Sequence, residues 1–354
     1  MTKKTSIKSG KYFYDTNGKL IQAHGGQIVP YGGKYYWFGE DKEGIVGRAT
    51  GEKGFSRWHN GIHLYCSDDL INWEDRGIVI VDENGDKLTP FHPAYITERP
   101  HVIYNEKTKK FVMWVKLCGP CDYSVPNFVC RYGVAVSDTI DGQYMFLDEE
   151  TNGFGGDFDL FEYEGNGYII GEKPHDALCL YHLDDTYTKI VGCEEHFKGV
   201  IPPYIPEAPC FINRNGNLSL VCSHTTGYFP NPTFHVQMDG LFEKWQRGGN
   251  ICRHDKQNNS FNSQISCIFK IPNRNLYVAL ADRWLVDLPP KYESPIELYD
   301  RMFQGDASVH KILSGLTDQN TSLATYCFYP IFFDDDGTPY IQWIDSWSVE
   351  DFYD

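Results

Sequence analysis

No stretch of this 354-residue chain approaches 18 consecutive apolar residues, so it holds no candidate membrane-crossing helix. Positive charge is scarce. Against 48 Asp and Glu stand 32 Lys and Arg, a net charge of −16. Nucleic-acid backbones and anionic membranes ask for a basic face, so neither is expected as a partner. Helical periodicity is rare, and no proline- or serine-rich linker interrupts the chain. A single domain over residues 1–354 is therefore expected. The start, Met1 to Ser6, has two lysines but no apolar run behind them. No signal peptide is read there, and a cytoplasmic location is expected unless a leader was removed. The 11 cysteines are scattered singly through apolar runs, which suits a reducing compartment better than a disulfide framework. No His-Glu-x-x-His spacing occurs among the 12 histidines, and neither metal nor cofactor is expected.

What the chain has is aromatic and strand-like. Aromatics reach 15% and hydrophobic residues 41%, too much for a disordered chain and enough for a sizeable core. An apolar run, a turn with Gly or Asn, then a second apolar run recurs at Ile28–Phe38, Val102–Trp114, Leu160–Ile170, Phe211–Val221, Ile268–Val278 and Ile331–Ile341. Each reads as a β-hairpin. Their spacing of roughly 50 to 75 residues, with more strand-like sequence between, predicts an all-β propeller over a β-sandwich or two small β domains. Six hairpins imply six blades, or five with the first and last segments sharing the closing blade.

Polar residues stand at matching places before these hairpins. His24, Glu98, Glu207 and Gln264 each lie four residues ahead, and Asp157 lies three ahead. The innermost strand of a blade lines the propeller axis, so equal register brings these side chains to one end of it. Two carboxylic acids around one pocket are what glycosidic cleavage needs: one gives a proton to the leaving oxygen while the opposite face activates water or supplies a nucleophile. A further acid nearby raises the donor's pKa by like-charge repulsion. Trp37, Phe91, Tyr228 and Trp284 are aromatics able to stack on sugar faces. His24 is read either as a satisfied core residue or as a sugar contact.

In these residues the chain resembles glycoside hydrolase family 43, and within it the exo-β-1,3-galactanase subfamily. The resemblance starts in Gln22–Gly26 and Tyr35–Lys42. It continues through Ser67–Trp73, Glu98–Asn105, Glu207–Pro209, Ser223–Gly227, Asn262–Gln264, Asp282–Trp284 and Thr325–Tyr326. It implies a five-bladed β-propeller and an exo-acting, inverting hydrolase releasing galactose from β-1,3-linked galactan. Glu207 matches the family's general acid and Glu98 the acid that tunes its pKa. Asp157 and Thr226 match substrate-binding positions. The N-terminal Asp that serves most of the family as base is missing, and Gln264 stands where the subfamily places a glutamine instead. An amide is a very poor base, so this position needs an imidic-acid tautomer or a positioned water. The alternatives are an arabinofuranosidase or xylosidase, disfavoured by the missing Asp, and a non-catalytic carbohydrate-binding propeller, which has no use for two convergent acids. The segment Leu117–Tyr132 departs from the family, which tends to place a substrate-facing tyrosine there; Tyr123 and Phe128 are the residues available for it. No carbohydrate-binding module is expected beyond residue 354.

Three motifs point elsewhere and are set aside. Cys118-Gly-Pro-Cys121 is a thioredoxin-type tetrapeptide without the helix that its chemistry needs. Cys118, Cys121 and Cys130 lack an obvious fourth zinc ligand. Asp334–Gly337 reads as a hairpin turn.

Overall fold

The computed structural model describes residues 4–45, 57–82, 91–119, 129–150, 153–316 and 320–352. Its strands form five antiparallel sheets arranged as the blades of a propeller. The first blade holds His24–Tyr31, Lys34–Glu40, Ile62–Ser67 and Glu74–Ile80. The second holds Ile96–Asn105, Lys110–Gly119, Val129–Ser137 and Met145–Glu150. Phe158–Tyr163, Asn166–Lys173, Ala177–Leu183 and Ile190–His196 make the third. Pro206–Arg214, Asn217–His224, Phe234–Met238 and Trp245–Asn250 make the fourth. Gln264–Lys270, Tyr277–Arg283, Thr325–Phe333 and Pro339–Gln342 make the fifth, with Cys252–Arg253 added in parallel at its edge. The first strand of each blade contacts those of its two neighbours, closing a ring around the axis.

Local sequence accounts for the hairpins. Tyr31 pairs with Lys34 around Gly32-Gly33, and Arg214 pairs with Asn217 around Asn215-Gly216. Both central residues of each turn have positive φ, the geometry that matches strand twist and that Gly and Asn adopt at least cost. Second strands are buried on both faces because a blade packs between two others. In Lys110–Gly119, Phe111, Met113 and Val115 join a core shared with the first blade, while Val112 and Trp114 join one shared with the third. The two-residue period of a strand thus divides its side chains between adjacent cores. Trp114 is fully buried, and its replacement by Ala is expected to cost about 3–5 kcal/mol.

The count of six hairpins resolves into five blades, because Ile331–Ile341 is the outer half of the fifth. An insertion between the second and third strands of that blade separates it from Ile268–Val278. The first and last segments do meet, but as a separate short ladder of Ile7–Lys8 with Ser346–Trp347. The insertion carries helix α1 (Pro295–Phe303), with Pro at its start and Glu297 in its first turn, and helix α2 (Ser308–Leu316). Leu298, Val309 and Leu313 from these helices enclose Trp284, Leu285 and Phe229 in a sixth apolar cluster.

The cysteine reading needs correction at one place. Cys118 and Cys130 face each other directly on adjacent strands of the second blade, with Cα atoms 4.2 Å apart, and form a disulfide. A cross-strand pair twelve residues apart is invisible in scattered spacing. Cys121, Tyr123 and Phe128 lie outside the described residues.

Candidate active site

The first strands deliver His24, Glu98, Glu207 and Gln264 to one end of the axis through a repeated backbone device. Pairing with the second strand is irregular just after each of them. In three blades the following residue takes a left-handed conformation: Gly25 at φ 56°, Arg99 at 55° and Ala208 at 50°. Such bulges re-aim the side chains beside them, and a non-glycine residue is held there only by its surroundings. In the third blade Asp157 follows Gly155-Gly156. A Cβ on Gly156 would lie 2.1 Å from the carbonyl oxygen of Glu172, so only glycine allows that approach.

A second polar ring stands behind the first. Antiparallel pairing returns the end of each second strand to the same end of the axis. His24 is opposite Glu40, Glu98 opposite Lys116, Glu207 opposite Ser223, and Gln264 opposite Asp282. Beside Asp157 the partner is Glu172, whose backbone N–H donates to the Asp157 carbonyl at 2.8 Å. Sequence reading assigned no role to Glu40, Lys116, Glu172, Ser223 or Asp282. Counting outward through each hairpin turn finds Glu172 but lands one residue past the other four, because the pairing register shifts just beyond each of their first-ring partners.

These two rings form one charged network. Lys116 Nζ lies 2.9 Å from Glu98 Oε2 and 3.0 Å from Asp157 Oδ1. Arg99 Nη2 is 2.9 Å from Asp157 Oδ2, and its Nη1 donates to the carbonyls of Ile265 and Ser266 across the axis. Burial raises the Asp157 pKa, but Arg99 and Lys116 outweigh it and hold the carboxyl at about 2. Glu98 is also brought below the usual range: burial opposes ionisation, and Lys116, with help from Lys42, prevails. The Tyr228 hydroxyl donates to Glu98 Oε1 at 3.1 Å. Glu40 is buried 3.0 Å from Lys42, and burial pushes its carboxyl up to about 8.

Glu207 stands apart from the ionised Asp157 and Glu98. Its Oε2 is shielded from solvent and has no hydrogen-bond partner among the described residues. Burial first, then the charges of Glu172 and Asp157, push its pKa well above the usual carboxylate range, against Lys116 and Arg99. Glu172, itself raised to about 7 by burial and by Asp157, is thus the leading like-charge influence on Glu207. The family resemblance gives that role to Glu98, which in the structure pairs with Lys116 and accepts a hydrogen bond from Tyr228.

The remaining residues take distinct places. Gln264 Nε2 donates to Ser223 Oγ at 3.0 Å, and the Trp284 indole N–H donates to Gln264 Oε1 at 3.3 Å. Ser223 Oγ donates in turn to the Glu207 carbonyl at 3.3 Å. Tyr228 and Trp284 lie with ring centroids 5.2 Å apart. His24 is fully buried, between Gln22 Oε1 at 2.9 Å and the Tyr326 hydroxyl at 3.2 Å, with Trp284 at 5.9 Å. Burial, opposed by Asp282, lowers its pKa, so the ring is neutral near pH 7. Thr226 is also fully buried. Its hydroxyl donates to the Phe229 carbonyl at 2.6 Å and accepts from Asn231, bracing the loop that carries Tyr228. Asp334–Gly337 forms the expected turn, with Asp334 paired to Arg253.

Comparison with known proteins bears on this arrangement. A model of the glycosyl hydrolases family 43 matches residues 23–264, a span that contains both rings up to Gln264. A solved family 43 β-1,3-galactosidase superposes with a TM-score of 0.77 at 26% identity, over 98% of this chain and 64% of that one. Another, in a structure with galactodeoxynojirimycin, gives 0.76 at 26% identity over 96% and 99%. An exo-β-1,3-galactanase from Clostridium thermocellum gives 0.71 at 27% identity over 96% and 66%. The chain therefore spans less than two thirds of the first of these. Among curated proteins no match is found.

Proposed function

Since the chain belongs to glycosyl hydrolases family 43, a glycoside hydrolase acting on a saccharide, we propose that it is an exo-acting, inverting enzyme releasing galactose from β-1,3-linked galactan. The observation that carries the reading is Glu207: burial and the charge of Glu172 raise its carboxyl well above the usual range, one of its oxygens has no partner among the described residues, and it stands at the end of the axis where Asp157 and Glu98 are ionised. A protonated carboxyl is the group that donates to a leaving sugar oxygen.

Inversion needs a water on the opposite face of the sugar ring. No carboxylate follows Gln22 in Gln22–Gly26, and Gln264 supplies an amide instead. The indole N–H of Trp284 can only donate, so Gln264 Oε1 must face it and Nε2 must face Ser223. The second lone pair of Oε1 remains to accept a hydrogen bond from water and orient it, and the proton shed as that water bonds to the anomeric carbon passes to solvent. This requires no imidic-acid tautomer. Asp157 and Glu98, ionised and fixed by Lys116, are acceptors for sugar hydroxyls, and Tyr228 and Trp284 offer apolar faces. The similarity to family 43 β-1,3-galactosidases and an exo-β-1,3-galactanase supports galactose over arabinose or xylose.

The test is incubation with β-1,3-galactobiose beside aryl galactoside, arabinofuranoside and xyloside, with products resolved by chromatography and proton NMR. Galactose appearing first as the α-anomer is expected. Cleavage confined to the pentosides, or first release of the β-anomer, overturns the reading.

A further inference from the structure

Helix α1 belongs to the fifth blade by connection and packs on Trp284 and Leu285 beside it, but its contacts reach further. Leu298 packs in one cluster with Phe229 of the fourth blade's loop, and the Tyr299 ring lies 6.3 Å from Phe229. A Cβ on Gly227 would sit 3.1 Å from the Tyr299 hydroxyl oxygen. One turn on, the Phe303 ring lies 5.5 Å from His175 in the third blade. The helix therefore crosses the fourth blade, the one that carries Glu207, and ends at the third.

His175 ties that end to the acid. Its backbone N–H donates to Glu172 Oε1 at 3.4 Å, and Glu172 is the carboxylate that most raises Glu207. Phe303 nevertheless remains 42% exposed. Across the same turn of the third blade Phe154 is 41% exposed, with Lys173 Nζ 4.8 Å from its ring centroid. Two partly exposed phenyl rings thus lie beside the turn that follows Glu172.

Resting on the reading of Glu207 as proton donor, we propose that Phe303, with Phe154 beside it, is the platform for the leaving sugar. The leaving group must depart on the side of the group that protonates it. The apolar C–H face of a galactosyl ring is the chemistry an exposed phenyl ring receives, and α1 holds Phe303 against the third blade, beside the turn that follows Glu172. The platform acts on binding and orientation of the leaving residue and takes no part in proton transfer.

The experiment compares two substrates that share the reacting galactose and differ in what leaves. β-1,3-Galactobiose leaves a sugar; β-galactosyl fluoride leaves an ion that has no face to stack. Phe303→Ala is expected to lower kcat/KM for the disaccharide by about 10- to 100-fold, from the burial value of one phenyl side chain. The fluoride should change by less than about twofold, and Phe303→Trp should keep disaccharide activity. Equal losses on both substrates, or none on either, overturn the platform alone. Wild-type enzyme that turns over neither substrate overturns the galactanase reading and the platform with it.

Discussion

Trp284 donates its indole N–H to Oε1 of Gln264 across 3.3 Å, which sets the amide's orientation in the pocket. If that oxygen positions the attacking water, its loss should slow every substrate alike, because water is needed whatever leaves. Gln264→Ala is expected to reduce kcat about 10²-fold, the scale of a misplaced reactant, on both a disaccharide and an aryl galactoside. Ser223→Ala removes the amide's acceptor and a bond to the Glu207 carbonyl but leaves Oε1 in place, and should cost less. A Gln264→Ala loss confined to the disaccharide would move Gln264 to the leaving-group side.

Glu172, not Glu98, should govern the alkaline limb of activity. Glu207 works protonated, so activity falls as pH rises through its pKa. That pKa is raised by burial and then by Glu172. Glu172→Gln removes the like charge, lowers the Glu207 pKa and moves the alkaline limb of kcat/KM to lower pH. A pH–rate profile checks it. An unmoved limb would contradict the assignment.

The same shift has a stability consequence of opposite sign to that of an ion-paired carboxylate. Folding favours the protonated form of Glu207. Stability is complete below the ordinary glutamate pKa and declines as pH rises toward the folded value, because the unfolded chain ionises first. Glu207→Gln removes the group that must ionise. The variant should therefore match the wild type near pH 4 and melt at a higher temperature near pH 8, despite its lost activity. Differential scanning calorimetry at both pH values decides; a lower Tm at pH 8 would make Glu207 a structural residue.

The first polar ring was legible in sequence because each member sits at a nearly constant distance before an apolar run, and a blade's first strand always faces the axis. The second ring was not. Lys116 and Glu172 lie in the later part of second strands, and their place follows only from turn length and pairing register, together with the bulge that shifts it by Glu98. The sixth hairpin misled because an insertion carrying two helices hides that Thr325–Phe333 continues the fifth blade. Tyr228 and Trp284 were named as aromatics suited to sugars, but what backs them, the cluster under α1 and α2, has only a short amphipathic signal. Thr226 and His24 show the limit of a matched motif: position carried over, while burial decides that both face inward.

The central claim is that Glu207 gives the proton, and leaving-group dependence tests it most directly. An alkoxide leaving from a disaccharide needs protonation; an acidic phenol does not. Measured as kcat/KM, Glu207→Gln should lose roughly 10²–10⁴-fold on β-1,3-galactobiose and far less on a dinitrophenyl β-galactoside. A folded variant with a mild, equal loss on both would contradict the account.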